Sequence, residues 1–220
     1  VEDTGIYRVL MDERWALEDL YGFPYAYQQA HSFVFHFDSS QELDPRIVDR
    51  VNKTFHEYPW QGGYSYVNLY AVLFNQIPKQ QRPTVQSIQY ASPGWIDLLI
   101  NPDVALQVAK SVGILLGAGV TAVEAFKRID RARLDIAKRR RQQNREYASL
   151  AASEAKELNN MSEELAKHLG FQSLKELQDK TADPEVTLKV LMAHYRRLRT
   201  LGDFVESGKV KLPENLKDES

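Results

Sequence analysis

Five histidines, His31, His36, His56, His168 and His194, are the side chains best suited to acid–base work near neutral pH. Their spacing serves no metal: none forms the His-Glu-x-x-His pair that puts two ligands on one helical face. Ser92 lies in Tyr90-Ala91-Ser92-Pro93-Gly94-Trp95, between an expected strand and helix, but lacks the Gly-x-Ser-x-Gly spacing of a nucleophile elbow. Asp12, Glu13, Glu18 and Asp19 read as the exposed face of an early helix rather than as a catalytic carboxylate pair. The chain has 0 cysteines, which excludes disulfides, thiolate zinc sites, iron–sulfur clusters and thiol catalysis. No catalytic residue, no metal ligand and no cofactor is assigned on these grounds.

Three features remain that could bind something. The first is Gly113-Ile114-Leu115-Leu116-Gly117, extended by Ala118 and Gly119, inside the apolar segment 104–126. Small residues at this spacing let two helix backbones approach closely. Each glycine costs about 0.8–1 kcal/mol of helix stability relative to alanine, so the pattern implies either a close contact or a break in the helix. The second is the basic run Lys138, Arg139, Arg140 and Arg141, within a stretch 127–146 holding nine Lys/Arg and three Asp/Glu. Such a run can neutralise the phosphates of an anionic membrane, or less readily of a nucleic acid, because no aromatic residue is interleaved for base stacking. From Lys138 to Glu146 there is no apolar residue, so this helix is expected to run through solvent or meet an anionic partner. The third is an expected pocket near Trp60, Gly62, Gly63 and Trp95, where glycines ahead of a helix expose backbone N–H groups between aromatic walls.

The elements that must position these features follow from capping and periodicity. Asp44-Pro45, Asn101-Pro102 and Asp183-Pro184 each combine an N-cap side chain with proline at the first helical position. Ser173 to Glu176 fits a capping box, and Gly170 closes a preceding helix. Helices are therefore expected after 44, over 64–76, and through most of 101–210. Strict alternation in 31–38, HSFVFHFD, predicts a strand with Phe33, Phe35 and Phe37 on one face. Residues 84–91 predict a second strand, with Val85, Ser87 and Gln89 on one side and Gln86, Ile88 and Tyr90 on the other; Ile6–Leu10 predict a third.

Composition supports a division of the chain. Of its 23 aromatic residues, 18 lie in the first 100 of 220 positions, and residues 1–60 hold 11 acidic against 5 basic side chains. The net charge of -2 excludes a uniformly basic nucleic-acid binder. No stretch reaches the roughly 18 consecutive apolar residues of a spanning helix. With no leader segment read at the start, a cytoplasmic protein able to sit peripherally at a membrane is the expectation.

The motif Tyr-Pro-Trp-x-Gly-Gly-Tyr at 58–64, followed by Ile-Gln-Tyr-Ala-Ser-Pro-Gly-Trp at 88–95 and a glycine-bearing apolar helix, resembles uncharacterised bacterial proteins. The resemblance implies a bacterial source and brings no activity to any residue.

The expected fold is α+β: a small mixed or antiparallel sheet with flanking helices, followed by a long helical arm and a short helical bundle. Residues 1–100 form the aromatic-rich lobe, 101–146 the apolar then basic arm, and 147–220 the C-terminal helical region. The leading expectation is a non-enzymatic protein that forms a homo-oligomer through Gly113, Gly117, Ala118 and Gly119. The alternatives are a binder of anionic membrane or nucleic acid through Lys138–Arg141, and a small enzyme using the aromatic lobe, with a small-molecule ligand the sequence leaves unnamed.

Overall fold

The computed structural model describes residues 4–37, 43–57, 63–146, 148–171 and 173–215. Among these, eight α-helices accompany one four-stranded antiparallel sheet, an α+β fold. The sheet order is β2 (Thr84–Gln89), β3 (Gly94–Ile100), β1 (Gly5–Met11), β4 (Val210–Lys211). The helices are α1 (Leu17–Phe37), α2 (Pro45–Glu57), α3 (Gly63–Gln76), α4 (Pro102–Ala118), α5 (Val120–Gln142), α6 (Ala152–His168), α7 (Lys175–Thr181) and α8 (Pro184–Glu206).

The caps expected from sequence hold their helices. Asn101 Oδ1 accepts from the N–H groups of Asp103 and Val104 at 3.0 and 3.2 Å, and Asp183 Oδ1 does the same for Glu185 and Val186 at 2.7 and 3.1 Å. Asp44 Oδ1 accepts from Arg46 N at 2.8 Å. Gly170 adopts φ +79°, the left-handed conformation that ends a helix cheaply only without a Cβ. The capping box at Ser173 does not close: Ser173 Oγ takes the Lys175 N–H, while Glu176 turns along α7 to Lys180 at 2.7 Å.

The strand expected over 31–38 is the clear error. Residues 31–37 are the last two turns of α1, and Asp38 lies outside the described residues. Every residue from Gln29 to Phe37 is buried, so this helix has no polar face to impose a 3.6-residue period. Its aromatic residues serve different neighbours: Phe33 stacks on His194 of α8 at 4.0 Å, and Phe37 meets Phe55 of α2 at 5.9 Å.

α1, α4 and α8 pack together at the centre, with α3 against α1 and α6 against α8. The inward side chains of the sheet, Tyr7, Val9 and Met11 from β1 and Ile96, Leu98 and Ile100 from β3, join the same hydrophobic core. At one end Trp15, Phe23 and Phe204 pack ring on ring, with centroids 5.5–5.9 Å apart, tying the start of α1 to the end of α8.

The apolar segment 104–126 is not one helix. It breaks at Gly119, whose φ of +51° and ψ of -127° suit no residue with a Cβ, and α4 and α5 meet there at 92°. No single helix among the described residues is long and apolar enough to cross a membrane.

Candidate functional site

The outer face of the sheet carries a charge clamp. Arg8 on β1 reaches across to Asp97 on β3 with two parallel bonds, Nε to Oδ1 at 2.7 Å and Nη2 to Oδ2 at 3.0 Å. Ser87 of β2 donates to the same Oδ2 at 2.8 Å. One carboxylate thus links all three long strands, and the Arg8 bonds hold it below the usual carboxylate range despite its burial. The Arg8 guanidinium also lies 4.9 Å from the ring of Trp95, which shields the pair from water.

The clamp fixes an unusual edge strand. All six residues of β2, Thr84-Val85-Gln86-Ser87-Ile88-Gln89, are exposed, and none is charged. A bulge between Val85 and Ser87 inserts Gln86. Val85 therefore pairs with Leu98, Ser87 with Asp97 and Ile88 with Ile96, so Val85 and Ile88 share the inner face while Ser87 points out. The alternation expected from sequence, with Val85 beside Ser87 and opposite Ile88, is corrected by that one extra residue.

Inside this edge lies an apolar groove of about 410 Å³, walled by Val85, Ile88, Ile96 and Leu98 on one side and by Leu20, Phe23, Pro24 and Tyr27 of α1 on the other. Pro24 has no N–H, so the Leu20 carbonyl loses its helical donor beside the groove. The solvent side of the same helix continues the apolar surface with Leu17 at 85% exposure, Tyr21 at 70% and Tyr25 stacked on Tyr21 at 5.4 Å. A contiguous exposed patch of this kind marks an interaction surface more often than a bare accident of folding.

The sequence-assigned residues fall elsewhere. On α4, a Cβ on Gly113 would collide with Glu214 Oε1 of the chain's own C-terminal segment, while Gly117 is exposed with open space around it. Ala118 and Gly119 are half-buried at the corner with α5. The close helix approach that glycine permits occurs instead at Gly202 of α8, where a Cβ would lie 3.0 Å from Leu116 of α4. Of the basic run, Lys138 and Arg141 are exposed and Arg139 reaches Glu157 of α6 at 3.5 Å. Arg140, expected in solvent, is 8% exposed: Glu185 of α8 accepts from its Nη1 at 3.4 Å and the Ala148 carbonyl from its Nη2. Two further arginines meet acids of α6, Arg128 of α5 with Glu164 and Arg145, just past the end of α5, with Glu154, so ion pairs help dock a helix that has no apolar residues near its end.

Trp60 and Gly62 lie outside the described residues. Gly63 opens α3, and Trp95 belongs to the outer face of β3 under Arg8. His31, His36 and His194 are all buried, and burial pushes their imidazoles down to about 3, about 4 and about 3. They are neutral at pH 7, packed against rings rather than arranged around a substrate. Ser92 hydrogen-bonds the Asp12 carboxylate at the surface. Among the described residues no group of three or more His, Asp or Glu side chains could hold a metal.

Comparison with protein-family models, with curated proteins and with solved structures finds no match.

Proposed function

We propose that this protein is an interaction protein that assembles with a second copy of itself, and that the assembly surface is the open edge β2 with the apolar groove behind it. One observation carries the reading: a six-residue edge strand, uncharged and exposed at every position, lies beside an apolar groove that nothing in the chain covers among the described residues. An edge strand of this kind leaves a row of backbone N–H and C=O groups ready for another strand.

The strand is suited to itself. An antiparallel pair of β2 strands centred between Gln86 and Ser87 sets Thr84 opposite Gln89 and Val85 opposite Ile88 of the second copy. Residues opposite each other in an antiparallel pair point to the same face, and the bulge has already put Val85 and Ile88 on one face. The pairing would join two four-stranded sheets into one and bring the two grooves side by side across a two-fold axis, the isologous arrangement of most homodimers. The glycine face of α4 is the weaker candidate, because the chain's own Glu214 occupies the approach at Gly113.

Sedimentation velocity over a concentration series tests the proposal. The expected result is a dimer that becomes monomeric when Val85→Lys and Ile88→Lys are combined, with the circular dichroism spectrum unchanged because both side chains are more than half exposed. A wild-type protein that stays monomeric up to its solubility limit, or a dimer indifferent to the double substitution, overturns it.

A further inference from the structure

The nine basic side chains of segment 127–146 divide into two groups. Five are paired with carboxylates: Arg133 with Asp130 of its own helix, Arg128, Arg139 and Arg145 with Glu164, Glu157 and Glu154, and Arg140 with Glu185 of α8. The other four, Lys127, Arg131, Lys138 and Arg141, are exposed and make no ion pair among the described residues. They are not scattered. At 3.6 residues per turn they fall on one line along α5, about 21 Å long and within an arc of about 80°. The buried residues Ala122, Ala125, Ile129 and Ile136 occupy the opposite face, so this line is the side of the helix turned furthest from the core. No acid stands on it: Glu124 and Asp135 lie to one flank, and Asp130 on the other is held by Arg133. Two apolar side chains share the line, Leu134 in its middle at 47% exposure and Val120 ahead of Lys127 at 72%.

A line of four uncompensated cations, in a chain of net charge -2 that pairs their neighbours, has its complement outside the molecule. We infer that this face of α5 lies flat on an anionic lipid surface. The headgroup phosphates and carboxylates take the four cations, while Leu134 and Val120 enter the boundary between headgroups and acyl chains. Long basic side chains suit that depth, because their stems cover apolar surface while the charge stays in the polar layer. The shape favours a membrane over a nucleic acid. A straight line of cations meets a plane along its whole length, whereas the backbone of a duplex curves away from it. A phosphate backbone also gives Leu134 and Val120 no apolar contact, and no aromatic side chain stands on the line to stack on a base.

Co-sedimentation of the full chain with sucrose-loaded vesicles tests this. One set of vesicles is phosphatidylcholine alone, a second is phosphatidylcholine mixed with phosphatidylserine, and a fluorescent DNA duplex at the same ionic strength forms the third arm. The chain should pellet with the mixed vesicles, stay in the supernatant with phosphatidylcholine alone, and be released by added salt. Combining Lys138→Gln with Arg141→Gln should weaken pelleting at least tenfold, since each Lys or Arg near an anionic leaflet is worth about fivefold in partition. Removing the same charge elsewhere, with Lys79→Gln and Lys211→Gln, should change it less than about twofold, because charges held off the surface are screened. Leu134→Ser should weaken vesicle binding severalfold. All five positions are exposed, so circular dichroism should not change. The assignment is overturned by failure to pellet with the mixed vesicles or by equal pelleting with both kinds. It is equally overturned by a loss in the Lys138/Arg141 variant no greater than in the Lys79/Lys211 variant, by a Leu134→Ser variant that binds as the wild type does, or by tighter binding to the duplex than to the mixed vesicles.

Discussion

At one edge of the sheet β4 offers two residues, Val210 and Lys211, and the segment beyond them lies back along β1, where Tyr7 donates to the Pro213 carbonyl at 2.9 Å. At the other edge β2 offers six uncharged residues, all of them exposed among the described residues. The first edge is short and carries a lysine, two of the devices by which proteins stop strands from pairing with neighbours. The second uses neither; its one protective feature is the bulge at Gln86, and the strand is held in place by the Ser87 hydroxyl and the Arg8 guanidinium, which converge on one carboxylate. An edge that is long, uncharged and clamped is an edge kept available, and this contrast underlies the proposal that β2 is where assembly occurs.

Acid should separate the interior from this edge most strongly. His31, His36 and His194 have depressed pKa values in the folded state, so the unfolded chain binds more protons than the native one from pH 6.5 down to about 4 for His36 and about 3 for the other two. Their contribution to stability is intact above pH 6.5 and is lost as pH falls. Each costs about 1.4 kcal/mol per pH unit, or about 4 kcal/mol for the three at pH 5.5. The Asp97 clamp behaves differently. Its lowered pKa adds stability that is fully present above the ordinary carboxylate range and is lost only as pH falls through its own depressed value. Urea unfolding at pH 7.5, 6.5 and 5.5 should show the decline, and His194→Phe should remove about a third of it. A flat profile over that range would mean that the three imidazoles are not held neutral.

Asp97→Ala breaks the clamp and should cost about 2 kcal/mol, because the half-buried Arg8 and the Ser87 hydroxyl both lose their acceptor. Hydrogen exchange should report the loss first at the amides of β2 and leave β4 nearly unchanged. The smallest effect belongs to Gly117. A methyl group there meets nothing within 4 Å, so Gly117→Ala should add about 0.8–1 kcal/mol in thermal denaturation. The bulkier Gly117→Leu should leave the sedimentation coefficient untouched. A switch to monomer in that variant would transfer the assembly surface from β2 to α4.

Residues whose local chemistry is self-contained were legible in the sequence. Asn101, Asp183 and Asp44 cap helices through bonds to the next few amides, and the strands β1 and β2 fall where short strand segments are expected, at Ile6–Leu10 and 84–91. What depended on distant neighbours was not legible. The end of α1 is enclosed on all sides, so the periodicity that would mark it as helical is absent, and three phenylalanines two residues apart imitate a strand. The bulge at Gln86 is invisible to any rule of alternation, yet it decides which face Ile88 joins. Segment 127–146 read as a single charged surface, whereas the acids of α6 and α8 divide it into an exposed side and a buried one. The break at Gly119 is one of two outcomes that the glycine spacing allows, and the spacing alone does not choose between a close contact and a break.

The right angle at Gly119 has a consequence for how the chain sorts its material. A largely greasy stretch of 17 residues and a charge-rich one of 23, separated in sequence by Gly119 alone, would as one straight rod drag either the oily part into water or the ionic part into the interior. Turning the axis at a single joint lets each stretch find company of its own kind, α4 against α1 and α8, α5 against α6. Any side chain that forced this joint to straighten would thus disturb two unlike environments at once.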